Sequence, residues 1–193
     1  LSLPFERRDY APSLSALDET GLGNVLISWP VPDSIELAYG VGFDGRNLWI
    51  SDLRRMVDHL VTPQGLHTGV EYETSWAHAF ATDMAYDRTR NVMWQVNVGG
   101  DNGIYGLDVD TGSVVSKITS GVWTRDDQRG LAYDPGDDTF YIGGWNERII
   151  YHIKGLSWDS PGEVLDQWSF PAGIAGLAWH PVGVLWVANN SIE

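Results

Sequence analysis

Short apolar runs alternate with polar turns along most of this chain. The clearest example lies between Gly130 and Ile153, where two apolar runs flank the turn Pro-Gly-Asp-Asp and a third apolar run follows. Runs of this length, bounded by Asp, Asn, Gly and Pro, are typical of β-strands joined by tight turns, and no stretch shows a convincing helical period. The pattern therefore predicts an all-β protein.

One unit of this pattern is written four times. Each copy holds an aliphatic residue, a small residue, an aromatic residue, a turn, and a second apolar run that contains another aromatic residue. The copies are VGFDGRNLWISD at 41–52, MAYDRTRNVMWQVN at 84–97, LAYDPGDDTFYIGG at 131–144 and LAWHPVGVLWVAN at 177–189. The turn residues are those that join two strands into a hairpin. The sequence thus predicts four hairpins, one roughly every 45 residues, the spacing of a propeller blade.

Two further strand candidates follow each of the first three hairpins. They lie at 55–62 and 69–76, at 103–112 and 113–120, and at 148–155 and 163–171. Four short strands in every repeat are typical of the blades of a β-propeller.

The first strand of each copy carries a Gly or Ala in the same slot. These residues are Gly42, Ala85, Ala132 and Ala178. Inner strands crowd around a propeller axis, where sheets lie closer than the ~10 Å that bulky side chains need. The next residue in each copy is aromatic and is expected to point the opposite way, into the wedge between sheets. These aromatic residues are Phe43, Tyr86, Tyr133 and Trp179.

The fourth copy stops before its third and fourth strands, and the N-terminus supplies candidates for them. SLSALDETGLGNVLISWP at 13–30 reads like IYGLDVDTGSVVSKIT at 104–119, since both contain an apolar run, an acidic turn with Thr-Gly, and a β-rich run. We therefore expect a four-bladed β-propeller whose last blade is closed by two N-terminal plus two C-terminal strands. Such closure removes an open sheet edge. Residues 11–193 would form this single domain, and residues 1–10 would remain as an N-terminal arm.

The charge balance argues against two classes of partner. Twelve basic residues stand against twenty-six acidic ones, a formal net charge of −14, which argues against nucleic acid and against an anionic membrane surface.

No apolar run approaches the ~20 residues that cross a bilayer. The absence of Cys excludes disulfides and thiol chemistry. The first residue is not Met and no basic leader follows it, so we interpret the chain as a mature or trimmed product and expect an extracellular or cell-surface location.

Two stretches carry a resemblance to a known group of propellers. NLWISDLRRMVDHL at 47–60 and TFYIGGWNERIIYHI at 139–153 each have an aromatic second strand followed by a polar loop that ends in Arg and an aliphatic residue. This pattern resembles the NHL and gluconolactonase-like propellers over most of the chain. Gly103 departs from it where Arg is expected, and those families usually have five or more blades. Because members range from lactonases and lyases to binding modules, the resemblance implies a fold and does not select a function.

In propellers of this type, ligands bind at one end of the central axis. The positions after the second strands are Asp52, Asn97, Gly144 and Asn189, and three of them offer an oxygen ligand. Oxygen ligands suit a divalent cation such as Ca²⁺, and a site at Asp52, Asn97 and Asn189 would resemble the metal site of gluconolactonase-like enzymes. The residues favour the other interpretation, that these side chains cap backbone groups in turns.

Three further residues are candidate binding residues. Asp83 lies where the chain enters a first strand, and with His78 it is the nearest candidate for a general base. Trp123 and Trp145 are predicted in loops, where an exposed ring can form a sugar platform or an interface anchor. The alternative for both tryptophans is that they fold back over the core.

The sequence contains no HExxH pair and no nucleophile elbow. It therefore favours a non-enzymatic extracellular scaffold that mediates protein–protein contacts or self-assembly. In this hypothesis the arm residues Leu1, Leu3 and Phe5 add as a strand to a neighbouring molecule and build a homo-oligomer or a filament. Two alternatives stay open: a metal-dependent lactonase or lyase, and a glycan- or peptide-binding module of a larger secreted protein.

Overall fold

The computed structural model describes residue 25 and residues 27–189. In this part of the chain fourteen strands form three four-stranded sheets and one two-stranded sheet, all antiparallel. Sheet A contains β1 (Ala38–Phe43), β2 (Leu48–Asp52), β3 (Val57–Val61) and β4 (His67–Glu73), and sheet B contains β5 (Phe80–Asp87), β6 (Val92–Val98), β7 (Ile104–Asp108) and β8 (Val114–Ile118). Sheet C contains β9 (Gln128–Asp134), β10 (Thr139–Gly144), β11 (Ile149–Lys154) and β12 (Val164–Ser169), and sheet D contains β13 (Ile174–His180) and β14 (Val184–Asn189).

The described part of the chain holds one short 3₁₀ helix, Ser75–Ala77, and no helix with the length and apolar character to cross a bilayer. Repeated four-stranded antiparallel sheets of this kind resemble propeller blades. The predicted all-β class and the predicted strand order within the first three repeats are confirmed.

The register of each hairpin follows the repeat seen in the sequence. The small residue of the first strand lies opposite the aromatic residue of the second strand in all four sheets. These pairs are Gly42–Trp49, Ala85–Trp94, Ala132–Tyr141 and Ala178–Trp186. The space at the small residue is taken by the next sheet, since a Cβ on Gly42 would lie 2.7 Å from Met84 Cβ and 2.9 Å from Met93 Sδ. The crowding predicted for this slot is therefore present.

The core consists of apolar layers between successive sheets. Trp49 and Leu60 of sheet A pack with Met84 and Met93 of sheet B. Trp94 of sheet B lies in the layer against sheet C, and Ile150 of sheet C lies in the layer against sheet D. Three of the four aromatic residues predicted to fill the wedges lie in these layers: Tyr86 between sheets A and B, Tyr133 between B and C, and Trp179 between C and D.

The hairpin turns share one hydrogen-bond pattern. The carboxylates of Asp44, Asp87 and Asp134 each accept a hydrogen bond from the backbone N–H two residues further on. His180 occupies the same place in the fourth hairpin, and its Nδ1 accepts from the N–H of Val182 at 3.3 Å. These side chains replace the missing backbone partners of a tight turn.

Sheets A and D each have one face that no described sheet covers. Phe43 on the outer face of sheet A is 50% exposed, whereas its counterpart Tyr133 is buried between two sheets. Trp186 on the outer face of sheet D is 61% exposed, whereas its counterparts Trp49 and Trp94 are fully buried. The predicted closing strands at 13–30 and the arm with Leu1, Leu3 and Phe5 lie wholly or mostly outside the described residues, so closure and the arm stay predictions.

Candidate functional site at the centre of the sheets

A cavity of about 650 Å³ lies where the inner strands of the four sheets meet. Its wall is mainly apolar and includes the small residues and the first aromatic residues of the repeats. Residues from the two open faces also line it, since Phe43 of sheet A and Trp186 of sheet D both border the same space. The outer faces of sheets A and D therefore border the same cavity.

Asp83 is the carboxylate in the wall of this cavity. Its Oδ2 accepts hydrogen bonds from the backbone N–H of Leu131 at 2.8 Å and of Leu177 at 2.9 Å. One side chain of β5 thus binds the inner strands of sheets C and D. Burial raises the pKa of Asp83 to about 7, and the hydrogen bonds from the backbone N–H groups offset only part of that rise. The sequence predicted a binding role for Asp83; the structure places it between three inner strands.

The guanidinium group of Arg129 lies between the rings of Trp145 and Tyr39, close to where β9 and β1 begin. The guanidinium of Arg129 lies 4.8 Å from the ring centroid of Trp145, and it also contacts the hydroxyl of Tyr39 across from sheet C to sheet A. Cation–π contacts of this kind contribute roughly 0.5–2 kcal/mol. Trp145, half-buried, is therefore held by Arg129. Neither Arg129 nor Tyr39 was singled out in the sequence, because their proximity depends on how sheets A and C face each other.

Asp52 caps the loop that follows β2. Its carboxylate accepts four backbone N–H groups, from Glu36, Leu37, Arg54 and Arg55, at 2.6–3.2 Å. Burial raises the pKa of Asp52, but these four donors outweigh burial and hold the pKa below its ordinary value. The capping interpretation describes this geometry, and the metal interpretation stays a prediction.

The other two predicted metal ligands lie at the ends of their own second strands. Asn97 is buried, its Nδ2 donates to Asp101 at 3.1 Å, and its Oδ1 has no hydrogen-bond partner among the described residues. Asn189 ends β14 opposite Ile174. In the described part of the chain, the one trio of converging His, Asp or Glu ligand atoms lies elsewhere, at His59, His67 and Glu71.

Trp123 lies in the core rather than on the surface. Its ring is fully buried in the layer between sheets B and C, and its Nε1 donates to the carbonyl of Gly162 at 2.8 Å. The fold-back alternative describes this position. His78, the other candidate base, is exposed and ends the 3₁₀ helix with a left-handed backbone, φ 60°.

A second polar cluster lies in sheet A, away from the wall of the cavity. It contains His59, His67 and Glu71, which come together because β3 and β4 are adjacent strands. Sequence reasoning treated His59 as a packed ring and did not connect it with His67 or Glu71. The hairpin register, which pairs His59 with Glu71, is the signal that would have found Glu71.

Comparison with known proteins gives a fold and no family. No protein-family profile matches the sequence, and no curated protein matches it. Many solved structures match the fold, and three of them match over 84–86% of this chain. They are a streptogramin B lyase (15% identity, TM-score 0.58), a catalytically inactive virginiamycin B lyase from Staphylococcus aureus with quinupristin (20%, 0.56), and a selenomethionine-substituted virginiamycin B lyase from the same organism (16%, 0.51). By fold, this chain resembles virginiamycin B lyase.

That likeness supports the predicted propeller-like repeat of four-stranded sheets, whereas the NHL-like group and the number of blades stay predictions. The chain covers 50%, 51% and 59% of the three matched chains. It therefore spans little more than half the length of these structures. At identities of 15–20% the likeness carries the arrangement of strands and nothing about chemistry.

Proposed function

We propose that this chain is a non-enzymatic β-propeller scaffold, closed into a ring of four sheets by its own N-terminal residues, that forms contacts with other copies of itself outside the cell. The exposure of Trp186 carries the first part of the proposal. Its counterparts Trp49 and Trp94 lie fully buried between two sheets, but Trp186 is 61% exposed. Fully burying a side chain of this size stabilises a fold by about 1.5–3 kcal/mol, so a covering sheet is expected.

The outer strands of the sheets give a second argument that a further sheet is needed next to sheet C. Tyr72, Ile118 and Trp168 occupy equivalent places in β4, β8 and β12. The next sheet covers the first two with the glycine of its outer hairpin, since a Cβ on Gly112 would meet Tyr72 and one on Gly162 would meet Ile118. Trp168 is 43% exposed. In the proposed ring the hairpin DETG at 18–21 covers Trp168 as the other hairpins cover their neighbours.

The contacts of Trp29 support the proposal that the N-terminal segment forms a fourth strand next to sheet A. A Cβ on Gly65, in the outer hairpin of sheet A, would lie 2.4 Å from the ring of Trp29, and the Trp29 Nε1 donates to the carbonyl of Pro63 at 3.3 Å. Trp123 makes the equivalent bond to Gly162 in sheet C. Trp29 therefore lies against sheet A in the way that the residues after β8 lie against sheet C. The residues before Trp29 then continue from the place of a fourth strand.

The hydrogen bonds of Asp83 support a ring with a small number of sheets. Asp83 bonds to strands of sheets C and D through one carboxylate oxygen. A single side chain reaches two further sheets when the inner strands converge closely, as they would around a ring of four. A wide ring leaves an open channel at this place.

Self-assembly is assigned to the arm at 1–10. In the described part of the chain β4, β8 and β12 are the outer strands of their sheets, and each has one edge without a strand partner. A free edge accepts an extended segment as an additional strand. Leu1, Leu3 and Phe5 alternate in the sequence with other residues, so in a strand they would share one face.

Deletion of residues 1–10 is expected to convert assemblies of this protein into monomers without changing the fold. A matched variant of full length, with Leu1, Leu3 and Phe5 all replaced by Asp, is expected to do the same because charge on that face prevents strand addition. Size-exclusion chromatography with light scattering and negative-stain electron microscopy measure the result. Identical particle sizes for the wild-type protein and both variants would refute the assembly role.

A metal-dependent lyase is the alternative function, favoured by two observations. The fold is similar to that of lyases, and Asp83, whose pKa is about 7, lies in the wall of the cavity. A carboxyl group with such a pKa suits a general acid or base at neutral pH. Cleavage of quinupristin by the wild-type protein with an added divalent cation such as Ca²⁺, lost in the Asp83→Asn variant, would favour this function over the scaffold.

A further inference from the structure

Three metal-ligand side chains of sheet A converge on one point. His59 lies in β3, and His67 and Glu71 lie in the adjacent β4. Their ligand atoms all lie within 4.8 Å of one another, and in the part of the chain that the structure describes no other trio of His, Asp or Glu does so. The cluster lies on the face of sheet A turned away from sheet B, because the neighbouring Asp58 points to Gln95 of sheet B and side chains alternate along a strand.

The spacing of the three atoms fits a tetrahedral ion. His59 Nδ1 lies 2.8 Å from His67 Nε2 and 3.3 Å from Glu71 Oε1, and His67 Nε2 lies 3.9 Å from Glu71 Oε1. Two bonds of about 2.05 Å at a tetrahedral angle place ligand atoms about 3.3 Å apart. The three observed distances lie on either side of that value, so small rotations of the side chains suffice.

His59 is oriented for coordination through Nδ1. Its ring is fully buried, its Nε2 makes no hydrogen bond, and Nε2 lies 3.6 Å from Oδ2 of Asp52. A proton on Nε2, facing that carboxylate, leaves the lone pair of Nδ1 directed at His67 and Glu71. A carboxylate behind a coordinating imidazole is the usual arrangement in metal sites, where it fixes the tautomer.

His67 requires one local change. Its Nδ1 accepts the N–H of Gly69 at 2.9 Å, so in the structure its Nε2 carries the proton and donates to His59. A metal at Nε2 displaces that proton to Nδ1 and removes the bond to Gly69. The bond is exposed, and such bonds contribute about 1 kcal/mol, so a metal–nitrogen bond exceeds its loss.

Arg55 is the local competitor. Its guanidinium makes a bidentate ion pair with Glu71, at 2.8 Å to Oε1 and 2.9 Å to Oε2. It therefore shares the oxygen that a metal would use and adds a positive charge next to the ion. Arg54, the preceding residue, points elsewhere and lies 3.7 Å from Glu36.

We propose that His59 Nδ1, His67 Nε2 and Glu71 Oε1 bind a divalent transition-metal ion of the zinc type, with water at the fourth position. Two imidazole nitrogens and one carboxylate oxygen suit Zn²⁺, Ni²⁺ or Co²⁺ and are unsuited to Ca²⁺ or Mg²⁺, which take oxygen ligands. His67 and Glu71 are partly exposed, so an ion can enter from solvent. These three ligands differ from the predicted ligands Asp52, Asn97 and Asn189, of which Asp52 lies behind the His59 ring.

Titration of the full chain with Zn²⁺ in a calorimeter tests the proposal. We expect one ion to bind per chain, and Co²⁺ to give the visible absorption of a tetrahedral site. The chain has no Cys, so thiols cannot produce either signal. His67→Ala is expected to weaken Zn²⁺ binding by at least about 100-fold, since losing even an outer partner of a metal ligand costs 10–100-fold.

The variant that distinguishes the site from ordinary surface binding is Arg55→Gln. It frees Glu71 and removes a cation, so it is expected to tighten Zn²⁺ binding about tenfold. Arg54→Gln removes the same charge one residue away and is expected to leave the affinity within about twofold, because the Arg54 side chain is exposed and turned toward Glu36, where solvent and salt screen its charge. Zn²⁺ affinities that are equal in the wild-type and His67→Ala proteins, or an Arg55→Gln affinity no tighter than that of Arg54→Gln, would overturn the proposal.

Discussion

The Gly40→Ala variant is expected to lose about 3 kcal/mol of its free energy of unfolding. A Cβ on Gly40 would lie 2.1 Å from the carbonyl oxygen and 2.4 Å from the carbonyl carbon of Thr82. These are backbone atoms of β5, so no side chain can turn away and sheets A and B must separate. Overpacking of a core costs typically 1–3 kcal/mol, and backbone clashes lie at the upper end. Denaturation by guanidinium chloride, followed by Trp fluorescence, gives the value.

Gly121→Ala is the matched control for this measurement. A Cβ on Gly121 meets nothing within 4 Å, and its φ is not positive. Both substitutions lower the entropy of the unfolded chain equally, so their difference isolates the clash. Equal stability of the two variants would show that β1 and β5 are not as close as described.

The Asp58→Asn variant is expected to be more stable than the wild-type protein at pH 8, by about 2–4 kcal/mol, and nearly equal to it at pH 4. Asp58 is fully buried, its Oδ1 accepts from Gln95 Nε2 at 3.0 Å, and its Oδ2 has no hydrogen-bond partner. Burial raises the pKa of Asp58 from 3.8 to about 7, and the bond from Gln95 offsets only part of this. Asn keeps the acceptor for Gln95 and carries no charge.

The direction of this pH dependence follows from the protons bound in each state. Between pH 4 and pH 7 the folded protein keeps the proton of Asp58 while the unfolded chain releases it, because the pKa is higher in the folded state. As far as Asp58 is concerned, the free energy of unfolding is therefore highest below pH 4. It falls as the pH rises, by up to about 1.4 kcal/mol per pH unit. Above pH 7 the charged carboxylate stays buried in the fold and the loss is complete.

Comparison of the variant with the wild-type protein at each pH isolates Asp58. Burial lowers the pKa of His59 and of His152, so these residues stabilise the fold above their unfolded pKa of about 6.5. Their effect on stability is opposite to that of Asp58, but it is the same in the wild-type protein and in the variant. Asp159→Asn, which removes an exposed carboxylate, is the control and is expected to change stability by less than about 0.5 kcal/mol at either pH. A constant difference between the Asp58→Asn and wild-type proteins from pH 4 to pH 8 would contradict the assignment.

The hairpins could be predicted from the sequence because their determinants are local. The turn residues Asp44, Asp87 and Asp134 define where each hairpin reverses, and the small residue before them shows which strand lies innermost. Such signals lie within one repeat and recur in the next. The strands and their order were therefore accessible without coordinates.

The candidate sites were less accessible because they depend on contacts between repeats or across a register. Asp83 reaches Leu131 and Leu177, residues 48 and 94 positions away. Nothing local to Asp83 distinguishes such a bond from an exposed carboxylate. His59 and His67 lie eight positions apart, and a bulge between them shifts the pairing of β3 with β4, so counting along an ideal strand does not bring them together.

The central claim is that residues near the N-terminus complete sheet D of the same molecule. The alignment of Asp18 with Asp108 also pairs Leu14 with Ile104, and the shared place of Trp186 and Trp94 pairs Ala188 with Val96. Val96 lies opposite Ile104, next to a pair joined by the bond from the Asn97 N–H to Gly103. Pairs alternate along an antiparallel ladder, so Leu14 and Ala188 are expected to form a non-hydrogen-bonded pair about 4.5 Å apart at Cα, which suits a disulfide.

Oxidation of the Leu14→Cys, Ala188→Cys double variant tests this claim most directly, because the chain has no other Cys. We expect a disulfide within one chain, seen by mass spectrometry as a monomer with both thiols lost. The control that pairs Leu14→Cys with Val115→Cys, on exposed β8 of sheet B, is expected to stay reduced. A disulfide found exclusively between two chains, or no disulfide at all in dilute protein, would contradict closure of the ring by its own N-terminus.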